Sequence, residues 1–513
     1  MARSHRALSV MALAISGGML ASSCTTSGSG EGANEAGTVN VAFGADPATF
    51  DPAKSNNASD YLVDRLLYEN LVRREDGGKV VPALASAWKA DARKAEFTLR
   101  DDVTCSDGSK LTPAIVAKSL TYLAAPETAS GPAKLIFGPG RPTITADDAA
   151  GTVTVTTAQP WSDLLAGLAA PSAGIACSAD AEALKTGKAP GTGPYTLKDA
   201  QRGSRYTFQA REGYAWGPKF AGAPKGERPK SLVAQVVNNE STRANQLTTK
   251  ALDMAFLTGP DGKRFTDGDA YKVESAPAVR MYLMFNERAG HPGADEKVRR
   301  AIAQAVDRKA FDNAAGLGRG ELLTSVAEST VPCVSKDESL LVKPDTAAAG
   351  KVLKGMKIKV AGTNGVAGGA GNSYVQAALR AAGADVTLRN TDSATWSTEV
   401  LGNQGDWDVN VMAHLNVTLT MTNPASLFAG EPAPKGRNVG GVKNPAFEKG
   451  MGAALATTDE AAKCEAWAGA QKALLDRVDA VPLSTVNTTY VFGKRVDAML
   501  PGGLFDISTL VVK

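Results

Sequence analysis

The chain is too long for a single hydrophobic core, and this limit constrains its fold more than any other feature of the sequence. Its 513 residues exceed the roughly 250–300 residues at which single cores stop growing, so we expect two to four domains. Strand and helix patterns alternate along it, with a strand at 39–43, a helix at 113–123 and a hairpin at 143–157. This mixture predicts α/β lobes whose connections cross between them.

The charge balance and the scarcity of reactive side chains exclude several classes of function. The whole chain has a formal net charge of +3 and contains only three histidines. Nucleic-acid-binding proteins carry an excess of basic residues, so a net charge this small gives no sign of nucleic-acid binding. Two histidines downstream of the N-terminal segment leave almost no material for a His-based triad or a His-rich metal site. The glycine-rich loop at 365–371 lacks dinucleotide-binding spacing and predicts a flexible connection. The sequence therefore predicts no enzyme, no cofactor and no metal.

The N-terminus has the pattern of a bacterial export signal. Arg3 and Arg6 precede an apolar run at 7–20, which is too short to span a bilayer and ends in small residues before Cys24. Residues 1–23 therefore predict a cleaved signal peptide, and Cys24 resembles the lipid-modified cysteine of a lipobox. Leu20 stands four residues before Cys24 instead of the usual three, so ordinary secretion with a free thiol remains an alternative. The polar stretch at 24–38 predicts a flexible tether.

The remaining cysteines form an even set, which suits an exported chain. They are Cys105, Cys177, Cys333 and Cys464. Four cysteines allow three connectivities, and buried free thiols are a further alternative. We favour Cys105–Cys177 and Cys333–Cys464, because each bridge then stays within one half of the chain. A zinc site is disfavoured, since no two of these cysteines lie close in sequence.

Short motifs in a fixed order carry a resemblance that covers residues 39–496. The motifs are Asp46-Pro47-Ala48-Thr49-Phe50, Tyr68-Glu69-Asn70-Leu71-Val72, Val81-Pro82-Ala83-Leu84-Ala85, Phe97-Thr98-Leu99-Arg100-Asp101, Ser106-Asp107-Gly108, Gly191-Thr192-Gly193-Pro194-Tyr195, Ala251-Leu252-Asp253 and Val298-Arg299-Arg300-Ala301-Ile302. In this order the chain resembles the family 5 extracellular solute-binding proteins, the oligopeptide- and dipeptide-binding receptors of ABC importers. The glycine-rich composition, the many alanines and the tether suggest an actinobacterial lipoprotein.

The resemblance implies a two-lobed periplasmic-binding-protein-like α/β fold of type II, in its large peptide-binding subclass, with an extra inserted domain. A discontinuous lobe I is expected at 39–71, 193–279 and 483–513, an inserted subdomain at 72–192, and lobe II at 280–482. Each favoured disulfide then lies inside one unit and leaves a hinge between the lobes free.

Three local patterns give structural expectations. Gly191 and Gly193 predict a tight turn in which glycine supplies a backbone conformation closed to other residues. Arg299 and Arg300 are expected on a helix surface. Thr457-x-x-Glu460 predicts a capping box at the start of the last long helix.

For ligand contacts we predict polar and aromatic residues from both lobes, suited to a wet cleft that accepts amides and stacks on rings. They are Asn56, Asn57 and Tyr61 from the first lobe and Trp396, His414 and Asn416 from the second. The competing interpretation places the asparagines on surface loops and Trp396 in a core. Peptide-binding relatives carry an aspartate for the peptide ammonium near the position of Asn416. Its loss costs roughly 2–5 kcal/mol of affinity for a free-amine peptide.

The sequence therefore predicts a monomeric, lipid-anchored, non-enzymatic receptor on the extracytoplasmic face of the membrane. It would capture a solute, most simply an oligopeptide, and deliver it to ABC permease subunits, without nucleic acid as a partner. A second interpretation keeps the receptor and changes the cargo to a sugar, metal chelate, amino acid or metabolite. The competing functions from different classes are a secreted hydrolase and a binding module without a transporter.

Overall fold

The computed structural model describes residues 37–513. The predicted signal peptide, Cys24 and nearly all of the tether lie outside the described residues, so those predictions are not tested by the structure. Residues 37–513 belong to one compact unit.

The strands of the described chain follow one another in this order: β1 Thr38–Phe43, β2 Val72–Arg74, β3 Val80–Pro82, β4 Ala85–Ala90, β5 Lys94–Leu99, β6 Thr143–Asp147, β7 Thr152–Thr156, β8 Tyr195–Gln201, β9 Arg205–Ala210, β10 Ser231–Val236, β11 Met254–Leu257, β12 Tyr271–Phe285, β13 Lys357–Thr363, β14 Asp385–Thr391, β15 Val409–His414, β16 Ala480–Gly493, β17 Val496–Met499 and β18 Asp506–Val512.

The helices are α1 Ala58–Leu67, α2 Pro113–Ala124, α3 Ala133–Phe137, α4 Leu164–Leu168, α5 Ala181–Lys185, α6 Glu240–Thr248, α7 Glu296–Ala305, α8 Arg308–Gly316, α9 Thr346–Leu353, α10 Ala370–Ala381, α11 Ser393–Trp396, α12 Thr422–Ala425, α13 Pro445–Leu455 and α14 Glu460–Asp476. Short 3-10 turns connect several of them, and a π-helical turn at Ser397–Leu401 continues α11.

A ten-stranded mixed sheet runs through the whole fold in the order β14-β13-β15-β12-β16-β11-β1-β10-β9-β8. Its two central strands, β12 and β16, are 15 and 14 residues long and antiparallel to each other. β11 pairs with one end of β16, and β15 pairs with the opposite end of β12. We call the half around β1 and β8–β11 lobe I and the half around β13–β15 lobe II. The fold is therefore two-lobed, as the sequence predicts.

A separate four-stranded antiparallel sheet, β4-β5-β7-β6, is formed by the chain between the first helix of lobe I and the strand β8. Alternation along β7 buries Val153 and Val155 against Phe97 of β5 and leaves the threonines of β7 half-buried. The hairpin predicted at 143–157 is confirmed by the β6–β7 pair. We call this segment the insert.

Each part of the fold has its own buried apolar side chains. Phe43, Tyr206 and Phe208 lie in lobe I, and Phe285, Ile302 and Val360 lie in lobe II, all at most 1% exposed. The chain therefore has more than one packed region, as its length predicts. The long strands β12 and β16 connect these regions.

Both favoured disulfides are present. Cys105 bonds Cys177 within the insert, and Cys333 bonds Cys464 within lobe II. Neither bridge connects the two lobes, so neither restrains a movement of one lobe against the other.

The predicted capping box of the last long helix is wrong. Asp459, not Thr457, is the N-cap of α14, and its carboxylate accepts the N–H of Ala462 at 2.9 Å. The Thr457 hydroxyl instead accepts the N–H of Asp459 at 3.0 Å. Aspartate and threonine are both good caps, so the tertiary position of the chain decides between them.

The surface position expected for Arg299 is also wrong, whereas the side chain of Arg300 is 44% exposed and pairs with Glu296 at 3.0 Å. Arg299 is 1% exposed. Its guanidinium donates to the carbonyls of Gly293, Arg477 and Val478 and to Asp479 Oδ1 at 2.8–3.1 Å. One helical step of about 100° separates the two arginines, and it turns Arg299 toward the start of β16.

The turn at Gly191 and Gly193 forms, but for a different reason from the one predicted. Neither glycine has a positive φ. A Cβ on Gly191 would lie 2.1 Å from the carbonyl oxygen of Leu67, and one on Gly193 would lie 2.4 Å from that of Leu66. Glycine is therefore required because the end of α1 passes directly against this turn.

We expect Gly191→Ala to destabilise the protein by about 1–3 kcal/mol, because the added methyl forces the turn away from α1. Gly452→Ala is the matched control, since a Cβ at this position in α13 meets nothing within 4 Å and alanine favours a helix. Urea unfolding of the two variants measures the difference. Equal stability of both variants would contradict the packing argument.

A second constraint joins the insert to the C-terminus. Arg73 in β2 is 1% exposed and donates to Glu69 at 2.9 Å and to Asp506 in β18. The hydroxyl of Tyr214 donates to the other Glu69 oxygen at 2.8 Å. This arrangement surrounds a buried guanidinium with two carboxylates and thereby compensates its lost hydration.

We expect Asp506→Ala to lower the free energy of unfolding by roughly 3–5 kcal/mol, because it leaves Arg73 buried with one of its two carboxylate partners. Asp476→Ala is the control: its pair with Lys472 is exposed, and such pairs contribute about 1 kcal/mol or less. Chemical denaturation of the purified protein compares them. A loss as small for the first variant as for the second would show that this ion cluster does not stabilise the fold.

Candidate functional site

The predicted ligand residues of lobe I begin α1. Asn57 is the N-cap: its Oδ1 accepts the N–H of Asp60 at 3.1 Å, and its Nδ2 donates to Asp60 Oδ2 at 2.8 Å. Asn56 is exposed, and its backbone N–H donates to the same carboxylate at 3.2 Å. Both asparagines therefore help to hold the start of the helix. Tyr61, one turn further on, is half-buried.

Two of the predicted residues in lobe II have partners of their own. Trp396 is 7% exposed, packs in an apolar region and donates its indole N–H to Asn410 Oδ1 at 2.9 Å. Asn416 is fully buried; its amide donates to the carbonyl of Thr420 at 3.0 Å and accepts that residue's N–H at 3.3 Å. These contacts support the competing interpretation for Trp396 and make Asn416 a loop-stabilising residue. The proposed ligand role of both stays a prediction.

His414 is different, because its buried ring has a free acceptor. It ends β15 and lies opposite Arg280 in the sheet. Its Nε2 contacts Asn423 Oδ1 at 3.2 Å, which assigns the ring proton to Nε2 and leaves Nδ1 as an acceptor. Burial lowers the pKa of His414 to about 3, and Arg280 and Arg437 add to the effect. The imidazole is therefore neutral at physiological pH.

Aromatic and polar side chains surround His414. The ring of Tyr282 lies 6.0 Å from the imidazole and 5.9 Å from the ring of Phe428, measured between centroids. Arg437 donates through Nε to Ser426 Oγ at 2.9 Å and through a terminal nitrogen to Asn423 Oδ1 at 3.4 Å.

Tyr61 of lobe I lies within electrostatic range of Arg437. Burial raises the pKa of Tyr61, and the positive charge of Arg437 acts in the opposite direction. The hydroxyl of Tyr61 in turn raises the pKa of Arg437 against the lowering caused by burial. We call Tyr61, Tyr282, His414, Asn423 and Arg437 the interlobe cluster, because its members come from both lobes.

Three buried polar atoms of this cluster have no hydrogen-bond partner within residues 37–513: the hydroxyl of Tyr282, Nδ1 of His414 and Nδ2 of Asn423. Tyr282 is fully buried, Asn423 is 1% exposed and His414 is 7% exposed. A buried polar group without a partner costs about 1–3 kcal/mol. Such atoms in neighbouring residues are available to a ligand or to ordered water.

A second arginine near the cluster is neutralised. Arg280 donates through Nε to Glu328 at 2.6 Å and through a terminal nitrogen to the other oxygen of the same carboxylate. Its remaining nitrogen donates to the carbonyl of Ala278 at 2.7 Å. Both side chains of the pair are 1% exposed. Arg437 therefore supplies the uncompensated positive charge of the cluster.

The insert contacts lobe II beside the cluster. Asp163 accepts from Lys463 Nζ and from the hydroxyl of Thr422, both at 2.5 Å. The neighbouring Ser162 donates its backbone N–H to the carbonyl of Leu455 at 2.9 Å. Thr422 adjoins Asn423 of the interlobe cluster, so the contact made by Asp163 and the cluster share the short helix α12.

Of the residues predicted from the sequence, Tyr61 and His414 belong to the interlobe cluster, whereas Tyr282, Asn423 and Arg437 were not among them; the ligand role of all five stays a prediction. Tyr282 lies in the apolar run 281–285 of β12 and shows only the pattern of a core strand. Arg437 follows a glycine in an irregular loop, where no spacing marks a ligand residue. Uncharged polar residues after β15 were the one available signal, and they led to Asn416 instead of Asn423.

Metal-binding geometry is not evident in the part of the chain that the structure describes, where no three His, Cys, Asp or Glu side chains are grouped to hold an ion. None of the helices from residue 37 onward combines the length and the apolar character that a membrane span requires.

Comparison with known proteins identifies one family to which the sequence of this chain is similar. The profile described as bacterial extracellular solute-binding proteins, family 5 Middle, matches residues 79–434. Protein XP55 of Streptomyces lividans is 26% identical over 531 aligned positions, which cover 95% of this chain and 91% of that protein.

Solved structures show the same fold. A substrate-binding protein from Microbacterium hydrocarbonoxydans, complexed with 4-hydroxybenzoate hydrazide, is 38% identical, with a TM-score of 0.86 over 93% of this chain and 100% of the other. The Escherichia coli murein tripeptide binding protein MppA is 20% identical, with a TM-score of 0.79 over 93% and 98% of the two chains. Since the matched profile spans more than half of the sequence, this chain belongs to the family 5 bacterial extracellular solute-binding proteins.

Proposed function

We propose that the protein is the non-enzymatic receptor of an ABC importer, which captures one solute between its lobes and delivers it to permease subunits. The observation that carries the proposal is the interlobe cluster. Among the described residues, Tyr282, His414 and Asn423 each keep a buried polar atom without a partner there, and Tyr61 of lobe I interacts electrostatically with Arg437 of the same cluster. Such a site suits reversible capture, because binding satisfies groups that the protein alone leaves unpaired. The relatives are named as binding proteins, which supports the same interpretation.

The long strands provide the hinge of this receptor. The register of β12 against β16 shifts between Pro277 and Val279 and again between Arg280 and Tyr282. These irregularities lie where the two strands pass from lobe I to lobe II. A solute that contacts both lobes favours the closed arrangement by its differential affinity for it.

The sequence-based predictions for the N-terminus complete the proposal. Signal cleavage before Cys24 and its lipid modification would hold a monomeric receptor at the extracytoplasmic face of the membrane. We also retain the division into lobe I at 39–71, 193–279 and 483–513, the inserted subdomain at 72–192 and lobe II at 280–482, with the disulfides leaving the hinge free.

For the cargo, a non-peptide solute is a stronger candidate than the sequence suggests. A peptide ammonium requires a carboxylate, yet Glu328 is engaged by Arg280 and Asp163 by Lys463 and Thr422. The 38% identical structure holds 4-hydroxybenzoate hydrazide, which is not a peptide. An oligopeptide would have to present its amine to another carboxylate.

The receptor proposal is tested by thermal unfolding of the purified full-length protein with tri- and tetrapeptides and with 4-hydroxybenzoate hydrazide. A bound solute at a hundred times its Kd stabilises the folded state by about 2.7 kcal/mol, so at least one probe should give a saturable rise in Tm. X-ray scattering should show compaction with the same probe. Conversion of a probe to product without saturable stabilisation would support a secreted hydrolase instead.

The contact made by Asp163 should contribute to closure. We expect Asp163→Ala to weaken solute binding about tenfold, or about 1.4 kcal/mol, chiefly through faster dissociation, because the insert loses its charged contact with lobe II. Asp102→Ala is the control: its pair with Arg100 is exposed and lies within the insert. Dissociation rates from stopped-flow fluorescence distinguish the two, and equal rates would show that Asp163 does not hold the closed state.

A further inference from the structure

We infer that the captured solute is an organic acid and that Arg437 binds its carboxylate, with Tyr282 and Asn423 as neutral donors to the same group. The inference rests on the proposed receptor function and specifies the chemistry of its ligand. It follows from the partners of Arg437, from the donors beside it and from the way other buried arginines of this chain are compensated.

Every direct partner of Arg437 is neutral. Its guanidinium donates to the hydroxyl of Ser426 and the amide oxygen of Asn423. The phenol groups of Tyr61 and Tyr282, which are neutral at physiological pH, lie within electrostatic range of it. Within residues 37–513, none of the ion pairs includes Arg437. Protein surrounds the side chain, which still keeps some accessible surface.

Other buried arginines show how this fold compensates such a charge. Arg73, Arg280 and Arg299 are each 1% exposed, and each pairs with a carboxylate: Asp506, Glu328 and Asp479 respectively. Arg65 has no direct ion pair, but Asp506, Glu69 and Asp64 raise its pKa. A desolvated guanidinium without a carboxylate is costly. Arg288, which is also half-buried, likewise has no carboxylate partner in the described part of the chain, so what distinguishes Arg437 is its place beside the unpartnered donors of Tyr282 and Asn423. We therefore assign its counterion to the solute.

The free atoms of the cluster have the matching polarity. Asn423 Oδ1 is occupied by His414 and Arg437, so its unpartnered atom is the N–H donor Nδ2. The unpartnered hydroxyl of Tyr282 is also a donor. Together with the guanidinium these donors suit the two oxygens of a carboxylate, which accepts several hydrogen bonds at once.

His414 supplies the opposite polarity. Its neutral ring presents Nδ1 as an acceptor without a partner. A hydroxyl or N–H on the solute would satisfy it. The rings of Tyr282 and Phe428 lie 5.9 Å apart beside the imidazole, and we expect them to contact the body of the molecule. The expected solute is therefore a small acid with a second, hydrogen-donating polar group.

The experiment measures thermal shift and affinity of the full-length protein with three acids and their primary amides. The pairs are 4-hydroxybenzoate and 4-hydroxybenzamide, N-acetylalanine and its amide, and alanylalanine and its amide. At least one acid should stabilise the wild type much more than its amide does. Arg437→Met should weaken that acid about 30-fold or more, Arg437→Lys should restore part of the loss, and the exposed control Arg300→Met should bind like the wild type.

Unfolding without any probe tests the same residue independently. Replacing an arginine that stabilises the fold lowers the stability of the protein, whereas replacing one whose counterion comes from the solute does not. Arg437→Met should therefore unfold at a temperature no lower than that of the wild type. A lower midpoint, an amide that binds as well as its acid, or an acid whose affinity is unchanged in Arg437→Met would overturn the inference.

Failure of the receptor function gives a different result. If a neutral probe such as 4-hydroxybenzoate hydrazide gives saturable stabilisation and none of the acids does, the protein is a receptor and the acid class is wrong. If no probe of either kind binds, the result counts against the receptor function and the acid class together.

Discussion

The antiparallel pairing of β12 with β16 is the interaction on which the rest of the structure depends. It runs from Tyr271 opposite Gly493 to Met284 opposite Ala480, and strands of both lobes add to its two ends. Because hydrogen bonds join the lobes through one continuous sheet, their separation is limited to bending and twisting of these strands. The register shifts near Arg280 place the softest part of the ladder beside the interlobe cluster. The proposed hinge therefore lies beside the proposed site.

Buried charge is handled differently in the framework and in the site. In the framework, Arg73, Arg280 and Arg299 each meet a carboxylate from a distant part of the chain, as Arg73 does with Asp506 and Arg299 with Asp479. Such pairs specify one arrangement of the segments, because removal of either member leaves a charge without compensation. In the site, Arg437 and the free atoms of Tyr282, His414 and Asn423 remain uncompensated. Among the buried arginines, this difference distinguishes those that hold the fold from the one that we propose binds the solute.

Much of the local structure was predictable from the sequence, and the errors have identifiable causes. The hairpin at 143–157 shows strict alternation, and α2 begins at the proline that the sequence marks, since both signals act over a few residues. The N-cap of α14 is Asp459 instead of Thr457, and Arg299 is buried instead of exposed. The local sequence allows either residue as the cap and either arginine on the buried face, and tertiary contacts decide between them. Gly191 was recognised as necessary for the wrong reason: the approach of the end of α1 excludes a side chain, and the backbone angle does not.

The sequence by itself determined the α/β class, the need for several packed regions, the export pattern, the favoured disulfide pairing and the family, because periodicity, cysteine placement and ordered motifs are read along the chain. Only the tertiary structure decided which polar residues converge. In the folded chain Asn57 caps a helix and Asn416 stabilises a loop. Tyr61 lies within electrostatic range of Arg437, which is far from it in sequence. The physical reason is that a binding site is defined by the partners its atoms lack after folding. Which partners are missing is known only when every other contact has been made.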